Sequence, residues 1–122
     1  MNNHVSLLPD DIIFVDYVGP QDYESIMSAF GQIEQFSFTL RRRHKPVKLL
    51  SDVSKVTKQN LGARQAGVES LRRISFDAIA VCGGNRFIKY MAMFFLRASG
   101  HPLARYFSQV DHGHRWLATL SL

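Results

Sequence analysis

Cysteine is nearly absent from this chain, with Cys82 as its single representative. One thiol inside an apolar run excludes a disulfide framework and a cysteine-rich zinc site, and it fits a reducing compartment. Basic residues are missing from the start: the first is Arg41. Met1-Asn2-Asn3-His4 therefore lacks the charged opening of a secretory signal, and no long apolar core follows it. Long hydrophobic runs are also missing. The longest, Phe87 to Leu96, is broken by Lys89 and is far too short to span a bilayer. The chain has no GxGxxG fingerprint, no P-loop Lys-Ser/Thr pair and no GxSxG nucleophile elbow. Repeats, low-complexity tracts and linkers are absent too. These absences point to one cytoplasmic domain over residues 1–122, with no signal for an enzyme.

What is present is ordinary for a folded domain: 122 residues, 46% hydrophobic and 20% charged. Such a chain buries roughly two-thirds of its unfolded surface and needs neither disulfide nor metal. Its net charge of +5 conceals an asymmetry. Residues 1–40 carry six acids and no Lys or Arg, whereas residues 41–122 carry all 15 basic residues against four acids. A basic majority suits nucleic acid, anionic membrane, a phosphorylated partner or a merely solvated surface. Nucleic acid is the weakest of these, because no recognition helix or aromatic platform accompanies the charge.

Apolar runs at Val5–Leu8 and Ile12–Val18, joined by Pro9-Asp10-Asp11, predict an N-terminal hairpin. The second run is apolar on both faces except at Asp16, as in a strand covered on both sides. Gly19-Pro20 is expected to stop it. A helix follows with Tyr23, Ile26, Met27, Phe30, Ile33 and Leu40 at helical spacing. Its basic end, Arg41-Arg42-Arg43-His44-Lys45, is favoured by the helix macrodipole. Val47–Val53 reads as the next strand, and Gln59–Ile74 as a helix weakened by Gly62 and Gly67. Those glycines fit places where something approaches the backbone closely. Phe76–Cys82 reads as a buried strand, Asn85 as the N-cap of a third helix ending at Gly100, and Leu103–Phe107 as a short edge strand carrying Arg105. A last helix from Gln109 to Leu120 can cover the sheet with Val110, Trp116, Leu117 and Leu120. The fold class is α/β, ordered β-β-α-β-α-β-α-β-α, with a mostly parallel sheet and helices on both faces.

Gly19-Pro20-Gln21-Asp22-Tyr23, Leu49-Leu50-Ser51-Asp52-Val53-Ser54, Ala78 through Phe87, and Arg105-Tyr106-Phe107 leading to Trp116-Leu117 together resemble the SpoIIAA-like family of bacterial proteins. The resemblance covers nearly the whole chain. It implies a fold related to STAS and CRAL-TRIO lipid-binding domains, with a helical flap over an apolar crevice. It further implies small hydrophobic ligands, a membrane surface and a homodimer. The chain departs from phosphorylatable STAS domains, where an Asp-Ser pair opens the helix after the Asp-hydrophobic-Ser strand end. Asn60-Leu61 stand at those positions, so the phosphate-accepting hydroxyl is missing.

The third helix is the most unusual segment. At 100° per residue, Phe87, Met91, Phe94 and Ala98 form a stripe expected to face the core, with Tyr90 and Phe95 at its margins. Arg86, Lys89, Met93, Leu96 and Arg97 lie opposite and are candidates for binding a ligand or an anionic membrane. A neighbouring element or a dimer partner would cover Met93 and Leu96 equally well. Gly83, Gly84, Asn85 and Arg86 join a strand end to a helix start and are candidates for an anion site, although such glycine pairs often only make the turn. Asp52, Ser54, Thr57 and Asn60 form a candidate regulatory loop, in which Asp52 would serve an Asx-type turn. His112 and His114 point about 200° apart on a helix, so no metal site is assigned, and no cofactor is implied. The expected function is a non-enzymatic binding module for a small hydrophobic or amphipathic ligand or lipid, peripheral to an anionic membrane. The alternative is a STAS-like regulatory domain that docks a protein partner.

Overall fold

The apolar strands and amphipathic helices alternate along the chain as β1 (His4–Leu7), β2 (Ile12–Gln21), α1 (Tyr23–Arg42), β3 (Lys48–Gln59), α2 (Leu61–Arg73), β4 (Ala78–Cys82), α3 (Arg86–Ser99), β5 (Ala104–Phe107) and α4 (Val110–Thr119). This computed structural model describes residues 3–122. Met1 and Asn2, and with them the very start of the expected 1–122 domain and of its leader-free N-terminus, lie outside the described residues. Among the described residues no helix is long and apolar enough to cross a membrane.

The sheet order is β1-β2-β3-β4-β5. The hairpin is as expected: Asp11 takes a positive φ of 65°, and β1 pairs antiparallel to β2 with Val5 opposite Val15. Every other neighbouring pair is parallel. Three successive crossovers with one handedness place α1, α2 and α3 side by side on one face. Alternate residues of the strands then serve two cores. Ile13, Val15, Leu49 and Ile79 pack with Phe30, Ile33 and Leu40 of α1 under the three helices. Ile12, Leu50, Ala80 and Cys82 pack with Leu117 of α4 on the other face.

Helix α4 sits unusually close to the sheet. A Cβ built on Gly113 would lie 2.4 Å from Cys82 Sγ and 3.2 Å from Leu50 Cδ1. At its C-terminus the buried Lys48 ammonium donates to the Leu117 carbonyl at 2.6 Å and the Leu120 carbonyl at 3.3 Å. A cation on the last turn is favoured by the helix dipole, and it bonds carbonyls of the helix end, sharing that of Leu117 with the Leu120 N–H at 3.3 Å.

Two strand ends differ from expectation. Gly19-Pro20 does not stop β2, which continues to Gln21 through register shifts at Asp16/Val18 and Gly19/Pro20. Strand β3 runs on beside it to Gln59 instead of ending near Val53. Local turn propensity lost to pairing: each strand finds its hydrogen bonds on the other, beyond the last residue of β4. Gly62 does mark a close approach, since a Cβ there would sit 3.2 Å from Tyr23 Cβ, but nothing lies within 4 Å of one on Gly67.

Gly113→Ala is expected to lower unfolding free energy by about 1–3 kcal/mol through overpacking. Combining it with Cys82→Ala should recover part of that loss, a positive coupling visible in a double-mutant cycle of guanidinium denaturation. Gly31→Ala, on the exposed side of α1 with open space around it, should instead stabilise by about 0.5–1 kcal/mol.

Candidate functional site

Because β2, β3 and β4 are parallel, the helices that follow them all begin at one end of the sheet. Side-chain caps hold those three starts. Asp22 accepts from Ser25 N–H at 2.8 Å in a capping box. Asn60 accepts from Ala63 N–H at 2.9 Å, and Asn85 from Ile88 N–H at 2.9 Å. Buried Gln21 ties the first two together. Its amide bonds Asn3 and the Val18 carbonyl, its Oε1 accepts from Ser25 Oγ at 3.0 Å, and its backbone carbonyl accepts from Asn60 N–H. Apolar side chains are nonetheless presented to solvent here. Tyr23, Leu61 and Phe87 stand in the first turns of α1, α2 and α3, with exposures from 45% for Tyr23 to 64% for Leu61.

The segment expected as a regulatory loop belongs to the extended end of β3. Asp52 is buried and accepts from Ser54 N–H at 2.9 Å, the Asx-type role foreseen for it. Ser54 and Thr57 are exposed strand residues, not loop residues. Asn60 is the N-cap of α2, so the position after it, where the resembled family carries its hydroxyl, is the exposed Leu61.

The turn before α3 gives its two glycines a structural reason. Gly83 and Gly84 have φ of 87° and 88°, in the left-handed region. A Cβ on Gly83 would come within 2.8 Å of Ser54 Cβ, and one on Gly84 within 2.6 Å of Ile88 Cγ2. The Gly83 carbonyl accepts from the Tyr106 hydroxyl at 2.6 Å. Arg86 is exposed beside this turn.

Helix α3 is rotated relative to expectation. Its buried residues are Ile88, Ala92 and Leu96, whereas Phe87, Tyr90 and Phe94 are each about 60% exposed. The stripe of Phe87, Met91, Phe94 and Ala98 is therefore not the core face, and Leu96 is a core residue instead of an outward contact. Small Ala92, between the branched Ile88 and Leu96, suits a face lying close against the sheet, and the large rings turn outward. Lys89, Met93 and Arg97 lie on a flank between these faces and line a groove against β5, where Lys89 Nζ sits 5.6 Å from the Tyr106 ring centre.

An apolar cavity of about 90 Å³ lies between the three helices and the sheet. Tyr17, Phe30, Val56, Gly67, Ile88 and Leu96 are among its walls. The family resemblance implied an apolar crevice under a helix, but no residue pattern marked its walls, which come from six separate elements.

The sequence matches no known protein family and no curated protein. Solved structures do resemble the fold. An uncharacterized protein of the DUF3478 family with a SpoIIAA-like fold, from Shewanella loihica, superposes with a TM-score of 0.67 at 16% identity, over 94% of this chain and 91% of that one. The anti-sigma factor antagonist SpoIIAA in its unphosphorylated form superposes with a TM-score of 0.57 at 8% identity, over 97% of this chain and 99% of that one. The chain has a SpoIIAA-like fold.

Two titratable groups lie beneath this region. Burial, and after it the Asp52 carboxylate, pushes the Cys82 thiol up to about 12, and burial alone raises the Tyr17 phenol above its usual range. A thiol held protonated is a poor nucleophile, so native Cys82 should not react with a disulfide reagent at neutral pH but should react on unfolding. Above the ordinary thiol pKa of 9.0 the unfolded chain releases this proton and the native chain keeps it. Stability should therefore fall as pH rises from about 9 towards 12, by up to about 1.4 kcal/mol per pH unit for one group. Denaturation across this range should show the decline, and Cys82→Ala should make it shallower, most clearly between pH 9 and 10, below the ordinary phenol value of 10.0 where Tyr17 begins to contribute.

Proposed function

We propose that the protein is a non-catalytic, STAS-like regulatory domain that docks a protein partner on the end of the sheet where α1, α2 and α3 begin. The observation that carries this reading is the exposure of Tyr23, Leu61 and Phe87 at three adjacent helix starts whose backbone is rigidly capped. Apolar anchors on a rigid frame are what protein recognition uses, since little ordering entropy is lost on binding. The fold shared with an anti-sigma factor antagonist supports a regulatory role. With Leu61 following the N-cap of α2, the helix start offers no hydroxyl to phosphate, and docking there is apolar. Ser54 and Thr57 keep exposed hydroxyls beside it, on the free end of β3.

A second reading concerns α3 and a hydrophobic ligand. The cavity under the helix is apolar, but about 90 Å³ is less than the ~150 Å³ that accommodates benzene and far below the roughly 300–1,000 Å³ of usual ligand sites. A lipid chain needs more room than this space offers. The outer face with Phe87, Tyr90 and Phe94, flanked by Arg86, Lys89 and Arg97, suits docking on anionic headgroups. The volume makes protein docking the stronger reading.

Affinity purification from the source cell with quantitative mass spectrometry tests the first reading. A partner retained by wild type should fall about tenfold or more with Leu61→Asp and persist with Phe38→Asp, which alters an exposed ring on α1 far from the helix starts. Identical recovery from all three proteins would end the proposal. For the second reading, the protein should co-sediment with phosphatidylglycerol vesicles, and Phe87→Ser/Phe94→Ser should abolish this. Failure of wild type to sediment removes it.

A further inference from the structure

We propose that the groove between α3 and the edge strand β5 binds an extended acidic peptide segment, which adds to the sheet as a sixth strand. This surface is separate from the helix starts: Tyr23, Leu61 and Phe87 do not line it. It stands or falls independently of the docking reading above.

The backbone comes first. Strand β5 ends the sheet order, so among the described residues one side of it has no strand neighbour. On its inner side, the Leu103 carbonyl accepts from Ile79 N–H at 2.8 Å and the Phe107 carbonyl from Gly83 N–H at 3.0 Å. In a parallel ladder, alternate residues turn both backbone groups to the same side. Leu103, Arg105 and Phe107 thus face β4, and Ala104 and Tyr106 point their N–H and C=O groups away from the sheet. Both of these residues line the groove. An unpaired edge is a template for another strand unless something covers or blunts it.

Space and floor come next. The groove is open to solvent and offers about 720 Å³, with Met93, Leu96, Ala104 and Tyr106 as its apolar part. A peptide therefore enters it without any helix movement. Its shape is held from three sides. The Tyr106 hydroxyl bonds the Gly83 carbonyl, His101 Nε2–H donates to the Leu71 carbonyl at 2.7 Å, and Arg72 donates to the Ala98 carbonyl at 3.0 Å.

Charge names the occupant. Lys89, Arg97, His101 and Arg105 line the groove, and no carboxylate does. The two faces of an added strand would both meet cations. Lys89 and Arg97 stand on the α3 side, and the Arg105 guanidinium lies across the strand on the α4 side, 5.2 Å from the Phe107 ring centre and 5.6 Å from that of Trp116. Because side chains of a strand alternate between faces, acids at either parity find a partner. Charge-assisted hydrogen bonds from Arg and Lys are the strong ones. A basic segment would meet only like charge.

The test uses a fluorescein-labelled octapeptide of alternating glutamate and valine, titrated by anisotropy against the full chain. Binding is expected, weakening with salt. Arg97→Glu combined with Arg105→Glu, both exposed and outside the cores, removes a cation from each face and should weaken it by about tenfold or more. The same peptide N-methylated at every residue has no N–H to donate to the ladder from either edge and should not bind. Hydrogen exchange at Ala104 and Tyr106 should slow on binding. Equal affinity for a lysine–valine octapeptide, equal affinity for the N-methylated peptide, or no binding at millimolar peptide would each overturn the proposal. So would charge-dependent binding of anionic vesicles through Arg97 and Arg105 without peptide binding, which would assign the cations to a membrane.

Discussion

The parallel course of β2 to β5 is the constraint on which the remaining structure depends. A parallel pair cannot be closed by a tight turn, so each strand must be followed by a crossover that returns to the other end. One handedness for all crossovers then stacks α1, α2 and α3 on one face and starts them all at one end of the sheet. Three helix N-termini, their caps and their first-turn side chains are gathered there by topology alone. Tyr23, Leu61 and Phe87 are far apart in sequence and come to one end of the sheet only through this arrangement.

Burial on both faces follows from the same constraint. With three helices on one side, the opposite face of the sheet would stay wet without α4. That helix is short, and its docking relies on close approach at Gly113 together with the Lys48 ammonium on its final carbonyls. A buried lysine is costly unless its hydrogen bonds are met, and here the carbonyl end of a helix meets them. The same packing desolvates Cys82, which is why a chain with one thiol keeps it chemically quiet.

Helix α3 illustrates how one element serves three surroundings. Ile88, Ala92 and Leu96 meet the core, Phe87, Tyr90 and Phe94 meet solvent, and Lys89, Met93 and Arg97 border β5. Almost no position on it is spent on the neutral polar residues of an ordinary surface helix. Interaction on two sides is the economical explanation of such a composition, one through rings and one through cations beside an unpaired strand edge.

Strand and helix order, the hairpin, the cap at Asn85 and the edge position of β5 were all legible in the residues, because they rest on local signals. Period-2 and period-3.6 hydrophobicity, turn chemistry and capping act within a few residues of the chain. The candidate site was legible only in part. Lys89, Met93 and Arg97 do converge, but against β5, which no helical wheel could show, and Leu96 and the Phe87–Phe94 stripe exchanged places. With apolar residues all round α3, periodicity alone could not choose its inner face. Packing against the sheet made that choice, taking Ile88, Ala92 and Leu96 inward. The lengths of β2 and β3 likewise escaped local reading, since Pro20 argues for a stop and only the partner strand overrules it. What the sequence by itself determined was the kind and order of elements, each specified by neighbours along the chain. The phase of α3, the reach of the central strands, the cavity and the β5 groove were decided by tertiary structure alone, because each is a relation between surfaces that meet only after folding.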